Sequence, residues 1–178
     1  MKNILTVFLA IGICFAFSST DNESFISVFD PPQIIELDAT LNMADCNNKA
    51  FLPIDLPKGA KGLIYTINVV SKADTREAKN QLINHIKKHS QTHQPSEMVA
   101  LIKQNKSNKS FNFYILPGKE NKDGFYNCGH YKYLEKHIDT KSRAAFIDGL
   151  PKEEIIFGIE KSQDLQNLKL SIEVVAIM

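Results

Sequence analysis

The chain has 178 residues, 43% hydrophobic and 23% charged, enough for one domain with a real core and too little for two. Its 21 basic residues exceed its 20 acidic ones by Lys2 alone, which lies in the first apolar stretch. A chain without that stretch is charge-balanced, which excludes the strong basic footprint of a nucleic-acid or anionic-membrane binder.

The opening MKNILTVFLAIGICFAFS reads as a signal peptide over residues 1–18. Lys2 is its positive end, Ile4–Phe17 its apolar centre, and Ala16 and Ser18 the small residues that a signal peptidase reads. The run is shorter than the ~20 apolar residues of a bilayer span, so no integral membrane segment is expected after its removal. Cys14 raises a lipoprotein alternative, but Ile13 precedes it where such signals have Gly, Ala or Ser. The expected location is extracytoplasmic, periplasmic or secreted.

Residues 19–33 are polar and then Pro-rich around Phe25, Ile26, Val28 and Phe29, which suits a linker or edge strand. Residues 34–178 are expected to form one domain. Ile34–Leu41 and Phe51–Leu56 read as strands, and Pro57-Lys58-Gly59 as a turn. Gly62–Val70 (GLIYTINVV) is the strongest strand signal, with Leu63, Tyr65, Ile67 and Val69 on one face and Ile64, Thr66, Asn68 and Val70 on the other. Its natural partner is the last segment, Leu168–Met178, where apolar residues alternate with Lys169, Ser171 and Glu173.

The period changes over residues 74–104. Asp74 with Glu77 resembles a capping box, and Ala78, Leu82 and Ile86 make a helical stripe. Pro95 is expected to end that segment and Ser96 to cap a second short helix carrying Met98, Val99, Leu101 and Ile102. An excursion of this kind suits a crossover between strands. Alternation returns in Ser110–Leu116, with Phe111, Phe113 and Ile115 on one side. Pro117–Asp139 reads as a long loop, and Arg143–Ile147 and Glu153–Glu160 as strands. One echo is visible: Ile54-Asp55-Leu56-Pro57-Lys58 and Ile147-Asp148-Gly149-Leu150-Pro151-Lys152 both join strands. The expected fold is mainly β with a helical insertion, an antiparallel β-sandwich of jelly-roll type with one or two helices at about 74–104.

The runs LPIDLPKGAKGLIYTINVV, GLPKEEIIFGIEKSQD and IEVVAIM resemble a group of uncharacterised exported bacterial β-sandwich proteins. Those share a Leu-Pro, Gly, aromatic strand motif and a closing strand ending in Glu-Val-Val-Ala. The resemblance spans Phe51–Met178, implies an extracytoplasmic sandwich, and carries over no catalytic residue.

Three constellations bear on chemistry. His85, His89 and His93 recur every fourth residue, a spacing at which helical imidazoles chelate Zn²⁺ or Cu²⁺, although Ile86 stands where a metalloprotease helix has Glu. Histidines packing over the edge of the core are the favoured reading, and no cofactor is expected. Cys128-Gly129-His130 sets a thiol beside an imidazole, but sequence neighbours rarely hold a catalytic geometry. Cys46 and Cys128, the cysteines left after the signal peptide, suit one disulfide, with two separate buried thiols as the alternative. Such a bond would close about 80 residues and contribute about 3–4 kcal/mol.

Phe125, Tyr126, Tyr131 and Tyr133 form the third constellation. Aromatics on a loop of a rigid scaffold suit ligand contact, and they also suit capping one end of a sandwich. The chain has no P-loop, no dinucleotide-binding glycine pattern, no Gly-x-Ser-x-Gly and no paired-cysteine zinc motif. The leading expectation is a non-enzymatic binding module for a protein or glycan through the tyrosine segment, with no nucleic-acid partner. The alternatives are a small hydrolase with sequence-distant catalytic residues and a metal-binding protein using the helix histidines.

Overall fold

The computed structural model describes residues 23–38, 46, 48–70, 81–103, 107–162 and 167–178. The expected signal peptide, Cys14 and the Asp74–Glu77 helix start lie outside the described residues.

The described residues form β1 (Phe25–Ser27), β2 (Gln33–Leu37), β3 (Lys49–Ile54), β4 (Gly62–Val69), α1 (Gln81–His89), α2 (Pro95–Ala100), β5 (Phe111–Pro117), α3 (Gly118–Tyr126), β6 (Glu135–Thr140), β7 (Ser142–Asp148), β8 (Ile155–Lys161) and β9 (Leu168–Ile177). Pairing is nested and antiparallel throughout: β2 with β9, β3 with β8, β4 with β7, and β5 with β6. That is one long hairpin rolled up so that its rungs fall alternately in two sheets, β2-β9-β4-β7 and β3-β8-β5-β6. The result is a jelly roll, with β1 added to the first sheet alongside β9. The expected mainly-β sandwich with a helical insertion is the architecture found.

The two strongest strand signals are hydrogen-bonded neighbours, from Gly62↔Ile177 to Val69↔Leu170. Leu63, Tyr65 and Ile67 turn inward against Phe113, Ile115 and Phe157 of the facing sheet. Ile64 turns outward and is just as buried, under α1 and α2 with Val175 and Ile177. A strand covered on both faces at its start has little call for a polar side there, which explains the apolar run Leu63-Ile64-Tyr65; Thr66 and Asn68 break it only further along the outer face. Gly62 is required at its start, because a Cβ there would stand 2.7 Å from the Ile147 carbonyl oxygen.

The sequence echo marks the two corners where the rolled hairpin passes between sheets. One leads from β3 to β4 and the other from β7 to β8, and these strands pair with each other as β3–β8 and β4–β7. The two Leu-Pro turns therefore lie at the same end of the sandwich.

The helical excursion is a crossover, as expected, joining β4 of the first sheet to β5 of the second. Its internal boundary differs from the expected one. Pro95 opens α2 instead of closing a segment, and Gln94, not Ser96, is the N-cap. Pro fits the first helical position because its missing N–H would have no partner there. Glu97 Oε2 then accepts the Gln94 N–H at 3.0 Å.

The start of α1 rests on β9. Glu173 Oε2 accepts the Leu82 N–H at 2.9 Å, and burial raises this carboxyl above its ordinary 4.5 despite the hydrogen bonds from Leu82 and Gln81. A raised folded-state value means that the native protein holds this proton where the unfolded chain has lost it. Glu173 therefore subtracts stability as pH rises above about 4.5. Glu173→Gln is expected to flatten the decline of Tm with pH in that window; an unchanged slope would place the dependence elsewhere.

Pro117–Asp139 is not the long loop that its composition suggests. It holds α3 and most of β6. Gly118 enters α3 with φ +73, and Phe125 is its one buried side chain, so the segment shows no apolar stripe to read. Packing on the sheet, not periodicity, makes this helix.

Candidate functional site

On the outer face of the second sheet, Lys49 and Phe51 of β3 stand beside Glu160 and Gly158 of β8, and Tyr114 of β5 continues the row to Lys136 of β6. Gly158 makes the seat for α3. A Cβ there would come within 3.1 Å of the Phe125 ring, so glycine lets that ring lie down on the strand. Phe125 is completely buried. It cannot touch a ligand, which corrects its expected role: it supports the face from beneath.

The segment after α3 is pinned at several points. Cys46 and Cys128 form the expected disulfide, with Cα atoms 5.9 Å apart. The Gly129 N–H donates to the Gly124 carbonyl at 2.8 Å, and the Lys132 N–H to Asn121 Oδ1 at 2.6 Å. Leu134 N–H donates to the Ile115 carbonyl at 2.7 Å, where the chain joins the sheet edge.

This clamp displays the tyrosines. Tyr131 is half-buried, its ring 5.3 Å from Phe125 and 5.9 Å from Tyr114, both edge-on. Tyr133 stands outside it with 50% of its surface exposed, and Tyr126 with 46%. Tyr126 meets Phe51 edge-on at 5.9 Å, and Lys122 Nζ lies 4.5 Å above that Phe51 ring. Lys136 Nζ lies between Tyr114 and Tyr133, 5.7 and 5.9 Å from their centres.

A polar row borders these rings. Glu160 Oε2 accepts from Asn112 Nδ2 at 3.0 Å and from the Tyr114 hydroxyl at 3.1 Å, while Lys49 Nζ stands 3.7 Å from Oε1. Burial, reinforced by Glu160, drives the Tyr114 phenol far above its ordinary value, and burial also raises Tyr131. Both therefore stay neutral hydrogen-bonding hydroxyls at physiological pH. The sequence reading missed Tyr114, Asn112, Lys49, Glu160 and Lys136. Alternation alone placed Phe111, Phe113 and Ile115 together, and so implied Asn112 and Tyr114 on the opposite face.

A second cluster lies where edge strands β6 and β7 meet. Arg143 Nε donates to the Tyr65 hydroxyl at 2.8 Å, and its Nη2 to Glu135 Oε2 at 3.1 Å. His137 Nε2 shares that Glu135 oxygen at 2.9 Å and stacks on Phe113. Burial raises the Tyr65 phenol to about 12. Inward-turned charges of this kind close a sandwich edge against strand addition.

The histidine rings lie in a row, tilted to each other with centres 4.7 Å apart for His85 and His89, and edge-on at 5.5 Å for His89 and His93. His85 Nε2 pairs with the Met98 carbonyl at 3.0 Å, and His93 Nδ1 with Thr92 Oγ1 at 2.7 Å. The helix ends at His89, so His93 stands in the following turn. Desolvation, then the neighbouring His85, Lys88 and His93, lowers the His89 pKa. Among the described residues no group of three or more His, Cys, Asp or Glu side chains is arranged to hold a metal ion. The third ligand that metal capture would need is not gathered there.

Cys128 is bonded to Cys46 and has no free thiol to pair with His130. No family model matches this chain, and no curated protein matches it. Among the described residues, no helix is long and apolar enough to cross a membrane.

Proposed function

We propose that this protein is a non-enzymatic binding module of the extracytoplasmic space that takes a glycan on its tyrosine face. The carrying observation is the rigid display of Tyr126 and Tyr133, about half exposed, on a base fixed by the disulfide, Phe125 and Tyr114. Aromatic rings held in advance contribute contact area with little entropy to lose. Asn112, Glu160 and Lys136 beside them supply the oriented polar groups that hydroxyl-rich rings need. A disulfide is compatible with the extracytoplasmic location, and the resemblance to exported sandwich proteins agrees with it. The jelly roll itself carries no vote, since one fold serves many functions.

Tyr133→Ala is expected to reduce affinity for a bound oligosaccharide at least about tenfold, as loss of a contact aromatic does, with Tm almost unchanged. The probes are soluble β-glucan, chitin and uronic-acid oligosaccharides, followed by calorimetry. Full affinity in Tyr133→Ala would remove this face from the reading. Binding of a protein partner with no response to any saccharide would transfer the face to protein recognition.

The convergence of Glu135, His137, Arg143 and Tyr65 favours a small hydrolase as the second reading. In that case His137→Gln would abolish hydrolysis of a model ester or glycoside that the native chain cleaves.

A further inference from the structure

The Cys46–Cys128 disulfide has a buried ammonium against it. Lys49 Nζ, its side chain only 5% exposed, lies 3.1 Å from Cys128 Sγ and donates to the Phe125 carbonyl at 2.9 Å. Its carboxylate partner, Glu160 on β8, stands 3.7 Å away and already accepts hydrogen bonds from Asn112 and Tyr114. On α3, Asp123 pairs with Lys122 at 3.7 Å. Among the described residues, Lys49 is a cation in contact with the sulfur, and Glu160 is a charge that opposes its effect.

A buried ammonium has lost most of its hydration, and a thiolate at hydrogen-bonding distance would restore part of that stabilisation. The two half-cystines share a second feature. Cys46 has φ 58 and Cys128 has φ 53, a left-handed conformation that residues with a Cβ seldom adopt and that the surroundings must enforce. Opening the bond removes one of those enforcing constraints. Cys128 is also an exposed residue, which leaves its surroundings open to a reductant.

We infer that Cys46–Cys128 is an exchangeable disulfide, a thiol-modification site at which a dithiol reductant opens the bond and Cys128 departs as a thiolate held by Lys49. The reductant's thiolate attacks Cys46 Sγ. A new sulfur–sulfur bond forms there, the Cys46–Cys128 bond breaks, and its electron pair goes to Cys128 Sγ. The reductant's second thiol, as its thiolate, then attacks its own sulfur in the mixed disulfide. It closes to a cyclic disulfide and releases Cys46, which takes a proton from water. The protein gains two electrons and the dithiol loses them.

The test uses the full chain with dithiothreitol as reductant. Reduction of the native protein is expected to be at least about threefold faster than that of Lys49→Met, since a leaving thiol of lower pKa departs faster. Lys49→Arg, which keeps the charge, should restore most of the rate. In Cys46→Ala the remaining Cys128 thiol is expected to titrate about one unit or more below the ordinary ~8.5, read by thiolate absorbance and by the pH dependence of alkylation. Combining it with Lys49→Met should return the thiol to the ordinary value. Equal reduction rates in native protein and Lys49→Met would overturn the inference. So would a Cys128 thiol titrating at the ordinary value with Lys49 in place, a result independent of whether Lys49→Met folds.

Discussion

Phe157→Ala is expected to lower the free energy of unfolding by about 3–5 kcal/mol, the largest effect of any single truncation in the sandwich. Phe157 is completely buried on β8, with its ring 5.0 Å from Tyr65 of the facing sheet and 5.0 Å from Phe113 of its own. With Phe113, whose ring lies 5.5 Å from Tyr65, it forms the aromatic contact between the two layers. Removing it sacrifices transfer free energy and leaves a cavity walled by two rigid aromatic rings that cannot collapse to fill it. The Tyr65 hydroxyl accepts from Arg143, so a shift of that ring would disturb the edge cluster too. Urea unfolding followed by circular dichroism measures the loss. A value below about 1 kcal/mol, far under the usual cost of truncating a buried Phe, would mean that the sheets do not pack through this ring.

Gly124→Ala should come second, and its sign is informative. Gly124 lies within α3, where helix propensity alone would make alanine stabilising by about 1 kcal/mol. Contact geometry opposes this. A Cβ at Gly124 would stand 2.2 Å from the His130 carbonyl oxygen and 3.3 Å from the Tyr131 Cβ. The near atom is backbone and cannot rotate away, so the segment from Cys128 to Tyr133 must move. The expected result is destabilisation by about 1–3 kcal/mol, the range for forced overpacking, together with weaker glycan binding because the tyrosines shift. A gain in stability would show that the segment after α3 does not close over the helix.

Much of the fold was legible in residues that obey one local rule. The alternation of β4 and β9 revealed two strands of one sheet, because each position there has a fixed face and a fixed neighbour. The repeated Leu-Pro turns showed where strands meet, although not that the two turns share one end of the sandwich. The sequence failed where long-range packing overrides local preference. The segment Lys119-Glu120-Asn121-Lys122-Asp123-Gly124 has no apolar stripe, and it is helical because Phe125 can settle on Gly158, thirty-odd residues further on. Pro95 looks like a terminator and acts as a helix start, since proline satisfies both roles and only the chain path decides.

The candidate face was half legible. Tyr126, Tyr131 and Tyr133 were visible as a cluster, but their order of exposure was not, and Phe125 belongs beneath them. Lys49 and Glu160 lie more than a hundred residues apart and meet only through the β3–β8 register, which no local pattern records. Glu135 and Arg143 are only eight residues apart, but the chain changes sheet between them, which no local pattern records either. Glu135 and His137 share a strand face by simple alternation, while their arginine comes from the neighbouring sheet.

The most direct test of the central claim is an amide chemical-shift titration of the full chain with the saccharide probe that binds in the affinity screen. Perturbations confined to Tyr126, Tyr131, Tyr133, Lys136 and their neighbours on the second sheet are the predicted result. Shifts centred on Glu135, His137 and Arg143 with the tyrosine face silent would contradict it and move the functional site to the edge cluster.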